Sequence, residues 1–101
     1  MRKLKIVFLE AAIHDLEEIW LYTFTTWTQE QADRYHLLIN NEINYLSSKP
    51  ESGKNVDYLR KGYRSAKVKS NYIFYRFTAT ELEIVRILHE NMDIPNRIND
   101  E

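Results

Sequence analysis

Residues 62–89, GYRSAKVKSNYIFYRFTATELEIVRILH, decide the fold. Three runs within them, about 63–68, 71–78 and 82–89, are rich in β-branched and aromatic residues and read as strands. Ser70-Asn71 and Ala79-Thr80-Glu81 are hairpin-length connections, so neighbouring strands are antiparallel. Arg64, Arg76 and Arg86 interrupt the runs, and the third ends in His89 rather than a turn residue. A strand accepts such arginines on a face that water, a ligand or a partner reaches. In the middle strand Tyr72, Phe74 and Arg76 point one way and Ile73, Tyr75 and Phe77 the other, so both faces carry aromatics.

On the N-terminal side, residues 49–62 read as a loop, with Pro50 and Gly53 ending whatever precedes them. That element is a helix. Thr28 and Gln31 form a capping-box pattern, and Ala32, Tyr35, Ile39, Ile43 and Leu46 mark one face. An earlier helix from Glu10 places Ala12, Leu16, Ile19, Trp20 and Thr23 on a stripe widened by Ile13, Phe24 and Trp27. Asp15, Glu17 and Glu18 lie early in it and complement the helix dipole, while Leu9-Glu10 offers no good cap. The tight connection around Thr25–Thr28 makes the two helices an antiparallel hairpin. Residues 3–8 alternate and read as a first strand.

The expected fold is therefore α+β, in the order β-α-α-β-β-β, with the helical hairpin on one face of a small, mainly antiparallel sheet. Residues 1–94 form a single domain and residues 95–101 a C-terminal tail. The sheet face away from the hairpin would expose apolar area, the mark of a binding surface. The alternative is that the tail folds over it.

Composition narrows the function classes. The 101 residues carry fourteen Lys and Arg against fifteen Asp and Glu, a net charge of −1. A domain that lives on nucleic-acid phosphates is usually strongly basic, so protein partners are favoured. A local exception is Lys54, Arg60, Lys61, Arg64, Lys67 and Lys69, where carboxylates are scarce. The absence of cysteine removes disulfides and fits a reducing compartment. No apolar run reaches the length of a membrane span or a signal-peptide core, which points to a cytoplasmic protein. Two glycines leave no Gly-rich phosphate loop, and no His, Asp and Glu set has metal-site spacing, so neither cofactor nor metal is expected.

Six motifs in order carry a resemblance. They are Ala11-Ala12 with Asp15-Leu16-Glu17-Glu18-Ile19-Trp20 and Tyr22; Gln31-Ala32 with Arg34-Tyr35; Pro50 with Gly53; Gly62-Tyr63-Arg64-Ser65; Ile73-Phe74-Tyr75-Arg76; and Ile84-Val85-Arg86-Ile87-Leu88-His89 with Met92-Asp93. Over residues 6–94 the chain resembles the RelE/ParE superfamily of type II toxin–antitoxin modules, most closely its ParE-like branch. It departs from the common pattern at Leu9-Glu10, where Ser or Thr followed by Pro is frequent, and at Ala66, where an aromatic is frequent.

The resemblance implies a toxin neutralised by a cognate antitoxin in a hetero-oligomer. The antitoxin would wrap a helix-forming segment around the toxin and reach Trp20, Trp27 and Tyr35, although helical spacing also reads both tryptophans as core. ParE-like members poison DNA gyrase by binding, with no chemistry of their own. Target contacts would then fall on Arg64, Arg86, His89, Asn91, Met92, Asp93 and Ile94, and no catalytic residue is expected. RelE-like members cut messenger RNA on the ribosome, and on that alternative Arg64, Arg86 and His89 would act on the phosphate and its leaving group. The paired lysines and terminal tyrosine of that branch are missing here. A non-toxic antitoxin-binding subunit is the third alternative. Direct nucleic-acid contact is expected only through the antitoxin complex. Arg76 reads as structural, paired across the sheet to a glutamate.

Overall fold

The computed structural model describes residues 3–99. Strand β1 (Lys5–Phe8) leads directly into helix α1 (Glu10–Thr26), and Leu9 N–H bonds to Ile84 O at 3.0 Å, one step beyond the last strand pair. Helix α1 starts at Leu9 without a side-chain cap. Helix α2 (Gln29–Ser48) starts as its sequence indicates, with Thr28 Oγ1 accepting from Gln31 N–H at 3.1 Å. A 3-10 turn at Pro50–Ser52 follows, then β2 (Lys54–Asn55), β3 (Arg64–Val68), β4 (Asn71–Phe77), β5 (Glu81–His89) and helix α3 (Ile94–Asn99).

The five-stranded sheet has the order β1-β5-β4-β3-β2. Among the described strands β1 and β5 are the parallel pair. The connection between them runs through the helical hairpin and then β2, β3 and β4, long enough for the crossover that parallel strands require. Strand β2 pairs with just Arg64 and Ser65, so the outer edge of Ala66–Val68 lies beyond it. The turn between β3 and β4 is Lys69-Ser70, one residue earlier than the sequence suggests, with Lys69 at φ 56°. Non-glycine residues seldom enter that region.

Two apolar layers flank the sheet. Between hairpin and sheet pack Ala12, Ile39, Ile43, Leu46, Ile73, Tyr75, Leu82, Ile84 and Ile87. On the other face Tyr63, Phe74, Val85 and Leu88 are covered by Val56 and Ile98, with Leu59 and Ile94 against them. A β-bulge makes both possible. Phe74 pairs with Arg86 and Tyr75 with Ile84, leaving Val85 unmatched. The extra residue shifts the alternation, so Ile84 and Ile87 serve the first layer while Val85 and Leu88 serve the second.

Two expectations change here. Of the residues read as a tail, 95–99 belong to α3, whose Ile98 is fully buried, while 100 and 101 lie outside the described residues. The second sheet face is therefore not an open apolar surface. The widened stripe of α1 is not core either: Ile13, Phe24 and Trp27 are exposed, whereas Ala12 and Thr23 are buried.

Candidate functional site

Two surfaces carry the residues singled out from the sequence. The first is the helical hairpin. Eight large apolar or aromatic side chains on or just after its helices are exposed: Ile13, Leu21, Tyr22, Phe24, Trp27, Leu37, Leu38 and Tyr45. That density exceeds the scattered apolar exposure of an ordinary surface. Trp27, 61% exposed, follows the C-terminus of α1, with its N–H bonded to Thr23 O. Trp20 is half-buried; its ring stacks on Phe24 at 5.1 Å and its Nε1–H donates to Asp33 Oδ1 at 3.1 Å. A shallow groove between the helices is lined by Ile13, Leu16, Trp20, Leu21, Asp33 and His36, among others. Tyr35 lies apart from this patch, half-buried against the core, and its hydroxyl donates to Val68 O at 3.2 Å and accepts from Asn71 Nδ2. It ties α2 to the end of β3 that extends beyond β2.

The second surface is the turn from β5 into α3. His89 Nδ1 accepts the Asn91 N–H at 3.1 Å, and Met92 N–H bonds back to His89 O at 3.0 Å. The imidazole thus shapes the turn. Asp93 precedes α3, where its carbonyl accepts from Arg97 N–H at 3.1 Å and its carboxylate from Asn96 Nδ2 at 2.6 Å. Asn91, Met92 and Asp93 are exposed, while Ile94 turns toward the second apolar layer.

Arg86 and Arg64 are committed to the protein itself. The Arg86 guanidinium donates from Nε and Nη2 to both carboxylate oxygens of Asp15, at 2.8 and 2.9 Å, and from Nη1 to Arg97 O at 3.0 Å. The pair is 11% and 9% exposed. Arg64 Nη1 donates to Gly53 O at 2.9 Å and Glu51 O at 3.3 Å, fixing the 3-10 turn. Arg64 and Arg86 stand on strands separated by β4, about 10 Å apart by strand spacing. His89 pairs with Asn71, which pairs with Val68, four positions along β3 from Arg64, or about 13 Å. The three do not converge on one reacting atom. Arg76 is paired with Glu83, as the sequence suggests, and donates to Tyr63 Oη at 3.3 Å.

Asp15 was hidden. The sequence groups it with Glu17 and Glu18 as acids that complement the helix dipole, but its carboxylate is buried and also accepts the Ile87 N–H at 3.0 Å. The signal available was its place on the stripe between Ala12 and Ile19. Among the described residues no three His, Cys, Asp or Glu gather as a metal site, and no helix is long and apolar enough to cross a membrane.

Comparison with known proteins places this geometry. The family described as "ParE toxin of type II toxin-antitoxin system, parDE" matches residues 6–94. Toxin ParE1 of Mycobacterium tuberculosis is 35% identical over 89 residues, covering 87% of this chain and 91% of the relative. Toxin ParE1 of Caulobacter vibrioides is 35% identical over 79 residues, covering 78% and 81%. The fold is similar to a chain of the chromosomal ParDE system from P. aeruginosa, with TM-score 0.75, 18% identity and coverage of 86% and 96%. It is also similar to a chain of the RelBE2 toxin–antitoxin complex of Mycobacterium tuberculosis, with TM-score 0.65, 22% identity and coverage of 87% and 99%. The chain belongs to the ParE toxin family of type II toxin–antitoxin systems.

Proposed function

We propose that this toxin acts in the cytoplasm by binding DNA gyrase, and that a cognate antitoxin silences it by covering the helical hairpin. The observation that carries binding over RNA cleavage is the separation of Arg64, Arg86 and His89, the first two held by carbonyls and a carboxylate of the fold. Cleavage without a metal needs an acid, a base and phosphate-binding cations within reach of one phosphodiester. The turn after β5 suits a binding role instead. Asn91, Met92 and Asp93 would meet the target; His89 fixes the turn; Ile94 anchors it to the second layer; Arg86 and Arg64 brace the framework.

Purified toxin is expected to inhibit gyrase supercoiling and to leave messages intact in intoxicated cells. Codon-phased cuts in primer extension, with supercoiling unaffected, would establish the ribosome-dependent nuclease instead. Harmless expression without the antitoxin would leave only an antitoxin-binding subunit.

The hairpin reading is supported by its apolar exposure and by neighbours of the same fold in toxin–antitoxin systems. Trp27 and the Trp20–Phe24 stack would anchor the antitoxin's helix-forming segment, and Tyr35 would hold the β3 edge that the same segment follows. Trp27→Ala is expected to weaken antitoxin binding by about 2 kcal/mol, some thirtyfold, because exposed aromatics buried on binding dominate interfaces. Calorimetric titration reads the affinity. The unfolding midpoint should stay put, since Trp27 packs little in the free chain.

A further inference from the structure

The segment from Lys54 to Lys69 holds six of the chain's fourteen cations and one of its fifteen carboxylates. The rest of the molecule is therefore acidic, and the charge is strongly segregated. Within this segment, residues 56–63 form a tightly built loop. Gly62 N–H donates to Asp57 Oδ1 at 2.8 Å, and Asp57 N–H donates to Asn55 Oδ1 at 2.9 Å. Val56 O accepts from Leu59 and Arg60, and Val56 N–H donates to Tyr63 O. The Gly62 N–H first, and next Asn55 Nδ2, which donates to Asp57 Oδ2 at 3.3 Å, hold the Asp57 carboxyl below its ordinary value. The one acidic side chain of the segment is thus turned to the loop's own closure.

The closure has a consequence for what the loop displays. Leu59 turns in against the second apolar layer, and Tyr58 is left 75% exposed at the tip, the most exposed large aromatic among the described residues. Lys54 and Lys61 are exposed beside it in the chain, and the Arg60 guanidinium lies 5.7 Å from the Tyr63 ring. One exposed tyrosine means little by itself. A tyrosine held out by a hydrogen-bonded loop, within the most basic stretch of the sequence, is different: tyrosine anchors protein interfaces, and a preformed loop loses little entropy on docking. The same loop shares the second sheet face with α3, and so stands on the cover that also carries the Met92 turn.

We propose that the 56–62 loop is a second contact of the toxin with its target, with Tyr58 as anchor and Lys54 and Lys61 facing an acidic patch of the gyrase. The inference rests on the gyrase reading above. An acidic protein surface fits better than nucleic acid, because the molecule's overall charge is negative and phosphate binding draws on many cations at once.

The full chain is assayed for the toxin concentration that half-inhibits gyrase supercoiling, with urea unfolding as the check on each variant. Tyr58→Ala should raise that concentration at least about tenfold at an unchanged unfolding midpoint. The Lys54→Glu/Lys61→Glu variant should raise it about three- to tenfold at low salt, and the gap from wild type should close as salt rises. Lys61→Arg should behave as wild type. Equal inhibition by wild type and by both folded variants overturns the contact while leaving the gyrase reading intact. A wild-type chain that does not inhibit gyrase removes both. Binding of a single-stranded oligonucleotide that Tyr58→Ala abolishes, with gyrase inhibition unchanged, overturns the protein partner in favour of nucleic acid.

Discussion

Asp15→Ala is expected to destabilise the chain by about 3–5 kcal/mol, the cost of removing one partner from a buried ion pair. The substitution does three things at once. It strips the carboxylate from an arginine that stays charged at any ordinary pH. It orphans the Ile87 N–H, which lies where β5 runs past the end of β1 and has Asp15 as its acceptor. It also loosens the joint at which α1, β5 and the carbonyl of Arg97 in α3 meet. Against a total stability of about 5–15 kcal/mol, such a loss leaves a marginal fold. Urea unfolding followed by circular dichroism measures it.

Two companions separate the contributions. Asp15→Asn keeps an acceptor for Ile87 N–H but no charge for Arg86, and should cost about 1.5–3 kcal/mol. Pairing Asp15→Leu with Arg86→Met removes the stranded charge, and should recover part of the loss that Asp15→Leu shows alone. Equal stability of Asp15→Ala and wild type would show that the ion pair contributes nothing. Because antitoxin binding stabilises only the folded toxin, it should raise wild type and Asp15→Ala by the same amount, so the deficit persists while the variant's total stability recovers in the complex.

The fate of Asp15 shows where the sequence was legible and where it was not. The α2 stripe from Ala32 to Leu46 is buried as read, because its helical period is clean and Thr28 marks its start. The three long strands were legible because period-2 alternation and short connections reinforce each other. On α1, apolar residues occupy too much of the circumference, so periodicity could not tell the buried stripe from the exposed Leu21, Phe24 and Trp27. Asp15 finds its partner 71 residues away, and no local pattern encodes that. Strand β2 is two polar residues paired by context alone. Helix α3 left a fainter trace: Asp93 before it, Pro95 in its first turn, and Ile94 and Ile98 one turn apart. The site followed the same division. The turn residues His89 to Asp93 came from a motif at the end of a legible strand, whereas the Tyr58 loop is built by backbone bonds that sequence patterns do not show.

Gly53→Ala should be the most damaging change among the loop residues that join α2 to β3, because its neighbour is the hydroxyl end of a fully buried tyrosine. A Cβ at residue 53 would lie 2.1 Å from Tyr75 Oη and 2.8 Å from two ring carbons. The ring cannot retreat: it belongs to the first apolar layer, and its hydroxyl donates to Pro50 O at 2.7 Å while accepting Gly53 N–H at 3.0 Å. The methyl group must displace the 3-10 turn, which also unseats Arg64 from Gly53 O. The expected loss is about 1–3 kcal/mol from overpacking, with broken hydrogen bonds added. Tyr75→Phe isolates the hydroxyl's share, about 1–3 kcal/mol for leaving Pro50 O and Gly53 N–H without it.

The two variants should also part company with pH. Burial raises the Tyr75 phenol above its ordinary value of 10.0, outweighing the Gly53 hydrogen bond that lowers it. A group raised on folding contributes its stability below the unfolded value and loses it as pH climbs through the folded one. Wild type and Gly53→Ala should therefore both lose stability above about pH 10, and Tyr75→Phe should lose less, so its deficit against wild type narrows there. A deficit that stays constant across the alkaline range would mean that the phenol titrates alike in the folded and the unfolded chain.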